Sequence, residues 1–250
     1  MGLTVTNILA HRTWPSIVDG SWVLVPTGST EQHGPHLPFD TDSVIAEAVA
    51  VGAADRIRRT AAAGSVLVAP TIPYGASGEH QSFPGTISIG HDSLRGVFIE
   101  MVRSLSTWAG RIVFINGHGG NIQALAGAVT QMIEEQHNVA WVPCATPSGD
   151  AHAGRTETSL MLHIAPGAVD LSRAGKGNED PITELMVAIA SKGVRGVSSS
   201  GVLGNPTGAS ASEGKALLEA MVSDVCRRID VDTADRHGCL RDPDALGGRG

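Results

Sequence analysis

The chain has 250 residues, of which 42% are hydrophobic and 17% are charged, and its formal net charge is -7. This composition supports a buried core, and a negative charge without any run of Lys or Arg argues against a nucleic-acid partner or an anionic membrane surface. The chain has three cysteines and no CxxC pair, and it has no basic leader followed by an apolar run, which predicts a cytoplasmic protein. It has no 18-residue apolar stretch, which predicts that it does not span a membrane.

Short apolar runs that end in Gly-rich turns alternate with helical patterns along the chain. The apolar runs predict β-strands at 22–26, 66–72, 111–115 and 139–142. The helical patterns lie at 41–59, 93–109, 121–136, 156–164, 181–191 and 212–229, with Ser93 and Asn121 as predicted N-caps. The alternation predicts an α/β fold, a single three-layer domain with a mostly parallel sheet flanked by helices. We expect the domain to span 1–230 and a mobile C-terminal tail to follow at 231–250.

The richest polar segment follows the first predicted strand. Glu31 and His33 are two residues apart, so their side chains point the same way if the strand end is extended. Asp42 begins the next predicted helix, and the intervening loop is long enough to fold back on the first two residues. Carboxylates combined with imidazole suit Zn, Mn or Fe. The competing interpretation is a polar loop whose acidic residues cap a helix.

Two later segments carry further side chains of the same types. His118 follows the third predicted strand in a Gly-rich turn, and the end of a strand parallel to the first favours a ligand role. Glu157 falls on the apolar face of the predicted helix 156–164, and an inward carboxylate needs a partner such as a metal ion. A capping role in the first helical turn is the alternative. His152, in the loop before this helix, is a candidate for acid–base catalysis.

The loop after the second predicted strand contains Glu79 and His80. They are predicted either to bind substrate or to orient a metal ligand through a hydrogen bond to it. A rigid loop with no functional role is an equal alternative. Ser77, Gly119 and Asp150 are the other residues predicted to contact the substrate. The sequence contains no Walker A motif, no GxGxxG after a strand, no HExxH and no GxSxG, so none of these motifs supports another mechanism.

Three motifs, taken in chain order, resemble the creatininase (creatinine amidohydrolase) family. They are EQHGPHLP at 31–38 followed by Asp42, NGHGGN at 116–121, and HAG at 152–154 followed by ETS at 157–159. The resemblance implies two divalent metal ions (Zn, Fe or Mn) at the sheet end, with Glu31 and His118 holding one, His33 the other, and Asp42 bridging them. It also implies assembly into a homo-oligomer.

Two departures from creatininase bear on the second metal and on the substrate. Creatininase has a glutamate two places after the histidine matched by His118, where this chain has Gly120. We therefore predict that Glu157 replaces this glutamate as a ligand and so becomes part of the catalytic site. Creatininase also has a Trp shortly before the histidine matched by His152, whereas no aromatic residue lies between Cys144 and Gly154 here. That difference argues against creatinine as the substrate.

Within the family, IPYGASGEHQ at 72–81 and GVLGNPT at 201–207 are most similar to the peptidases that mature a peptide-derived redox cofactor. This resemblance implies a modified precursor peptide as the substrate and release of its C-terminal Val-Tyr-derived dipeptide. Metal-activated water would attack the amide, and His152 would protonate the leaving nitrogen. Two alternatives stay open: another cyclic-amide or formamide hydrolase of the family, such as formamidopyrimidine deformylase, and a non-catalytic peptide-binding partner with a structural metal.

Overall fold

The computed structural model describes residues 7–59, 65–146 and 149–242. Within these ranges one parallel sheet has the strand order β2-β1-β3-β4. Its strands are β1 (Trp22–Thr27), β2 (Val66–Val68), β3 (Arg111–Asn116) and β4 (Val139–Pro143). The α-helices of these ranges are α1 (Thr41–Arg59), α2 (His91–Leu105), α3 (Ile122–Glu134), α4 (Arg155–Ile164), α5 (Ile182–Lys192) and α6 (Ala211–Val231).

Strand residues alternate between two apolar layers, one on each face of the sheet. Leu24 and Val113 pack with residues of α1, α4 and α6 on one face. Val25 and Phe114, their neighbours along the strands, pack with α2 and α3 on the other face. Because successive side chains of a strand point to opposite faces, the near-continuous apolar runs supply both layers at once. The predicted α/β fold with a parallel sheet between two helical layers is confirmed.

Strand β2 is shorter than the predicted run at 66–72 and ends at Val68. Pairing with β1 slips by one residue after Pro70, although the N–H of Ala69 still donates to the Leu24 oxygen at 2.9 Å. The chain returns to the sheet two residues later, where the N–H of Ile72 donates to the Pro26 oxygen at 3.0 Å.

Helix α2 begins at His91, so the prediction of Ser93 as its N-cap was wrong. The N-cap is Gly90, whose φ of 75° places the backbone in the left-handed region that glycine adopts without strain. The carbonyl of Gly90 accepts the N–H of Leu94 at 3.1 Å and starts the helix two residues early. The helix also ends at Leu105 rather than near residue 109.

The chain after α6 returns to the outer edge of β4. The N–H of Trp141 donates to the Gly238 oxygen at 3.0 Å, and the N–H of Leu240 donates to the Trp141 oxygen at 2.9 Å. Leu240 is fully buried. The described part of the predicted tail therefore packs on the sheet, while 243–250 lies outside the described residues and the domain boundary at 230 stays a prediction. Among the described helices, none combines the length and the hydropathy of a bilayer-spanning segment.

Candidate metal centre

The candidate centre lies at the carboxyl edge of the sheet, where β1 and β3 run side by side. Thr27, the last residue of β1, pairs with Asn116, the last residue of β3, so the loops that follow leave the same edge. The first loop carries Glu31 and His33, the second carries His118, and all three side chains are buried. This is the edge at which parallel sheets form ligand sites.

Glu31, Asp42 and His118 form the first group, in which one potential ligand atom from each residue lies within 4.8 Å of the others. Nε2 of His118 is 3.2 Å from Oε2 of Glu31, and its Nδ1 is 3.2 Å from Oδ2 of Asp42. Asp42 stands in the first turn of α1, where the helix dipole favours an acidic side chain. Two carboxylates with one imidazole form a ligand set that divalent transition metals accept.

His33, Asp42 and Glu157 form the second group, again with potential ligand atoms within 4.8 Å of one another. Nε2 of His33 lies 3.1 Å from Oδ1 of Asp42 and 4.0 Å from Oε2 of Glu157. Nδ1 of His33 lies 3.0 Å from the backbone oxygen of Glu31 and donates to it, which leaves Nε2 facing the two carboxylates. Glu157 also accepts the N–H of Ala153 at 2.6 Å, so it points inward and caps the turn before α4.

Asp42 belongs to both groups and turns one oxygen toward each of them. Its Oδ1 faces His33, its Oδ2 faces His118, and Oδ2 also accepts a hydrogen bond from Oγ of Ser29 at 2.8 Å. A carboxylate placed in this way is able to bridge two cations. The five residues predicted as metal ligands thus come together at one place, and their role as ligands stays a prediction.

Glu31 supplies the observation that argues most directly for a bound cation. Its side chain is 1% exposed, and neither carboxylate oxygen accepts an aligned hydrogen bond from the part of the chain that the structure describes. The Ser77 hydroxyl is close enough to lower the pKa of Glu31, but its effect is smaller than that of burial. Nε2 of His80 lies 3.3 Å from Oε1, and Nε2 of His118 approaches Oε2, both without hydrogen-bond alignment. Burying a carboxylate without such partners is costly. The donor set therefore fits a divalent metal ion that would take these oxygens as ligands.

The charges in the cluster shift the pKa values of its members in opposite directions. Burial is the largest single effect on His33 and His118 and disfavours their charged forms. The carboxylates around them, Asp42 first at His33 and Glu31 first at His118, together outweigh burial and raise the two pKa values to about 10 and about 9. Burial raises the pKa of Glu31 and of Glu157 to about 7. The pKa of Asp42 stays well below its usual range, because His33 and His118 overcome the effect of burial. Without metal, the cluster holds protons that a metal ion would displace.

His152 forms a third group with Glu31 and His33, with potential ligand atoms within 4.8 Å of one another. Its ring lies between those of His33 and His80, with ring centroids 4.5 Å apart in both pairs. Burial and the charge of His33 hold the pKa of His152 well below its usual value. Burial and the charge of His118 lower the pKa of His80 to about 3. Both rings are therefore neutral near pH 7.

Of the residues predicted to contact the substrate, Ser77, Glu79 and His80 lie beside the first group. Oγ of Ser77 is 3.4 Å and Oε1 of Glu79 is 3.8 Å from Nε2 of His118. Gly119 is exposed on the turn that follows β3. These positions are compatible with the predicted substrate contacts, which stay predictions.

Asp150 has a different environment from these residues. Its two carboxylate oxygens accept the backbone N–H groups of Arg155 and Thr156 at the start of α4. Asp150 therefore caps this helix and fixes the turn that carries His152 and Glu157. A direct contact between Asp150 and the substrate also stays a prediction.

The surroundings of Gly120 leave no room for a side chain at this position. A Cβ atom on Gly120 would lie 2.5 Å from Nε2 of His118, 2.9 Å from Oε1 of Glu79, and closer still to the backbone oxygen of Ala76. All three distances are shorter than an ordinary van der Waals contact. A glutamate at this position would therefore displace either His118 or the loop that carries Ala76 and Glu79.

Two amide side chains that the sequence interpretation did not assign to the site hold its loops together. Asn121 stands at the N-cap position of α3 as predicted, but its side chain makes no capping bond. Its Nδ2 instead donates to the Gly28 oxygen at 2.9 Å and its Oδ1 accepts the N–H of Ala76 at 3.0 Å, which joins the loops after β1, β2 and β3. Gln32 contacts two of the buried histidines. The position of Gln32 between the predicted ligands Glu31 and His33 was the only feature of the sequence that pointed to it.

Comparison with known proteins places these residues in a family context. A family model described as creatinine amidohydrolase matches residues 10–229. The chain is 51% identical over 239 residues to a mycofactocin precursor peptide peptidase of Mycobacterium ulcerans (strain Agy99), covering 95% of this chain and 93% of that protein. It is 51% identical over 218 residues to a protein of the same name from Mycolicibacterium smegmatis (strain ATCC 700084 / mc(2)155), covering 87% of this chain and 88% of that one.

A solved structure shares the fold. The crystal structure of a putative creatinine amidohydrolase from Bacteroides fragilis NCTC 9343 superposes with a TM-score of 0.76 at 25% sequence identity. The match covers 90% of this chain and 95% of that one. The similarity therefore extends over the whole three-layer architecture and not only over the three motifs.

Proposed function

The chain belongs to the creatininase family, and we propose that it is a divalent-metal-dependent peptidase that cleaves the modified mycofactocin precursor peptide. The cleavage would release the C-terminal Val-Tyr-derived dipeptide of that precursor. The observation that carries the proposal is the similarity to mycofactocin precursor peptide peptidases along nearly the full length of both chains. The convergence of acidic and imidazole side chains at the sheet edge supports hydrolysis as the chemistry.

The proposed centre would hold two divalent ions, Zn, Fe or Mn, with Asp42 available to both. The first group would bind one ion through Glu31 and His118, and the second group would bind the other through His33 and Glu157. Bound metal ions would supply Lewis-acid polarisation of the scissile carbonyl and a lower pKa of the attacking water. Glu157 would replace the glutamate that creatininase has at the position of Gly120. The distance of 4.0 Å between Oε2 of Glu157 and Nε2 of His33 supports this assignment.

His152 is proposed to move the proton in the reaction. Its Nε2 lies 2.8 Å from the backbone oxygen of Gln32, which only accepts, so the proton of the neutral ring is on Nε2. Nδ1 is then unprotonated and lies 3.8 Å from Oε1 of Glu31, facing the centre. In this arrangement His152 takes a proton from the attacking water at Nδ1. As the C–O bond forms and the C–N bond breaks, His152 returns the proton to the leaving nitrogen.

The test is incubation of the metal-loaded protein with the modified precursor peptide, followed by mass spectrometry. We expect a shortened precursor together with the released dipeptide, in amounts that depend on added metal. Chelator-treated protein and the His152→Ala variant are the matched controls, because one removes the proposed metals and the other the proposed proton carrier. No shortened precursor with zinc, manganese or iron would reject the peptidase assignment, and retention of uncleaved precursor would favour a binding partner.

Location and assembly belong to the same proposal. We propose that the protein works in the cytoplasm as a homo-oligomer. The three cysteines support a reducing compartment, because Cys144, Cys226 and Cys239 are all unpaired in the structure. Burial raises the pKa of each thiol, so none is activated as a nucleophile. Size-exclusion chromatography with light scattering would test the assembly, and a monomer at micromolar concentration would contradict it.

A further inference from the structure

The side chain of Gln32 is held in one orientation by two backbone groups. Its Oε1 accepts the N–H of Gly34 at 2.9 Å, and its Nε2 donates to the carbonyl of Gly201 at 3.1 Å. Because one neighbour only donates and the other only accepts, the oxygen and nitrogen of this amide are not interchangeable. Gly201 has a φ of 83°, and a Cβ on it would overlap the Gln32 amide, so the close approach of this loop depends on glycine.

The same amide nitrogen approaches two buried imidazoles. Nε2 of Gln32 lies 2.9 Å from Nδ1 of His80 and 3.0 Å from Nε2 of His152. One of its two hydrogens is used by Gly201, so a single hydrogen is left for the two rings. Nε2 of His152 already donates its own proton to the backbone oxygen of Gln32 and cannot accept another. The remaining amide hydrogen therefore goes to Nδ1 of His80.

A nitrogen that accepts a hydrogen bond carries no proton. His80 is consequently unprotonated at Nδ1 and keeps its proton on Nε2, which is the nitrogen 3.3 Å from Oε1 of Glu31. We propose that Gln32 is a positioning residue that fixes the proton of His80 on Nε2, so that the ring nitrogen nearest Glu31 carries a proton rather than a lone pair. The inference rests on the proposed function in one respect, because Glu31 is taken to be a metal ligand.

The other neutral form of His80, with its proton on Nδ1, would oppose metal binding. A lone pair on Nε2 would lie 3.3 Å from the buried Glu31 carboxylate and repel it, whereas a protonated Nε2 attracts the carboxylate electrostatically without an aligned hydrogen bond. Hydrogen-bond partners behind metal ligands typically change metal affinity or activity by about 10- to 100-fold when they are removed. Gln32 thus acts on the centre through His80, whose ring lies between the Gln32 amide and Glu31.

The experiment uses zinc-loaded protein labelled with ¹⁵N in its histidines. Long-range ¹H–¹⁵N correlation spectra distinguish the two neutral forms of each imidazole, and loss of one signal set in His80→Asn assigns His80. We expect a protonated Nε2 and an unprotonated Nδ1 at His80 in the unmodified protein. A proton on Nδ1 of His80, or a doubly protonated ring, would overturn the proposal even if no variant of Gln32 could be purified.

The variant Gln32→Met keeps the length of the side chain and removes its hydrogen bonds. We expect its zinc affinity to fall about 10- to 100-fold, with a mixed or reversed proton position at His80. Gln123→Met, on the exposed face of α3, is the matched control and should change neither quantity. Unchanged affinity and an unchanged His80 spectrum in Gln32→Met would refute the role of Gln32. Neither readout uses the peptide, so failure of precursor cleavage would reject the proposed function alone.

Discussion

Replacing Gly120 with alanine is expected to weaken metal binding at the first group without altering any residue of that group. The added Cβ would lie 2.5 Å from Nε2 of His118, about 1 Å inside an ordinary contact, and it would also press on the backbone oxygen of Ala76. Overpacking of this kind costs about 1–3 kcal/mol, which corresponds to roughly 5- to 150-fold in an equilibrium constant. We expect most of this cost to appear as displacement of His118, because a side chain moves more readily than a backbone tied by hydrogen bonds.

Gly119, next to Gly120, provides the control, because a side chain there would meet no clash. Gly119 lies in the same short turn, Gly119–Asn121, but a Cβ there would meet no atom within 4 Å. Gly119→Ala therefore carries the same change in backbone entropy without the clash. Zinc affinity would be measured by competition with a chromophoric chelator, and thermal unfolding would be followed with and without zinc. If Gly120→Ala matched Gly119→Ala in both measurements, the steric account of this position would be wrong.

The remaining predictions concern the metals and the proton. Glu157→Gln should reduce metal content from two ions to one per chain by elemental analysis, and two ions bound with unchanged affinity would remove Glu157 from the ligand set. His152→Ala should keep its metal content and lose about 10²- to 10⁴-fold in turnover, so near-normal turnover would exclude it from proton transfer. Because His33 and His118 have pKa values raised to about 10 and about 9 without metal, both are protonated at pH 7 and must lose a proton to bind. Glu31 and Glu157, with pKa values of about 7, are each half protonated at pH 7 and also lose protons on binding. Zinc binding at pH 7 should therefore release about three protons and should weaken as the pH falls. Titration calorimetry in buffers of different ionisation enthalpy would measure this release, and a value of zero would contradict the assignment.

The centre combines residues whose spacing is local with others that come from far along the chain. Glu31, His33 and Asp42 lie on one loop and the helix that follows it, so their proximity needed only a turn of suitable length. His118 was placed by the parallel pairing of β1 and β3, which brings the two strand ends into register. The expectation that strand ends share one edge was enough to predict this contact.

Other contacts were beyond the reach of sequence patterns. The role of Asp150 as a cap of α4 and the early start of α2 at Gly90 depend on particular backbone angles and hydrogen bonds in the turns. Strand β2 ends at Val68 although the apolar run continues past it, because pairing with β1 slips by one residue between Ala69 and Ile72. The pattern of apolar residues predicted the helix and the strand correctly. The residue at which each of them begins or ends was decided by local backbone hydrogen bonds and dihedral angles.

Sequence alone determined the α/β class, the family, and the five residues that converge at the sheet edge, because apolar periodicity and short motifs are properties of neighbouring residues. Only the tertiary structure decided that Gly120 has no room for a side chain, that Glu157 reaches His33, and that Gln32 joins two histidines. These relations depend on loops that lie far apart in sequence, such as the 169 positions between Gln32 and Gly201. Their paths are set by the packing of the helices on the sheet, which no local pattern records.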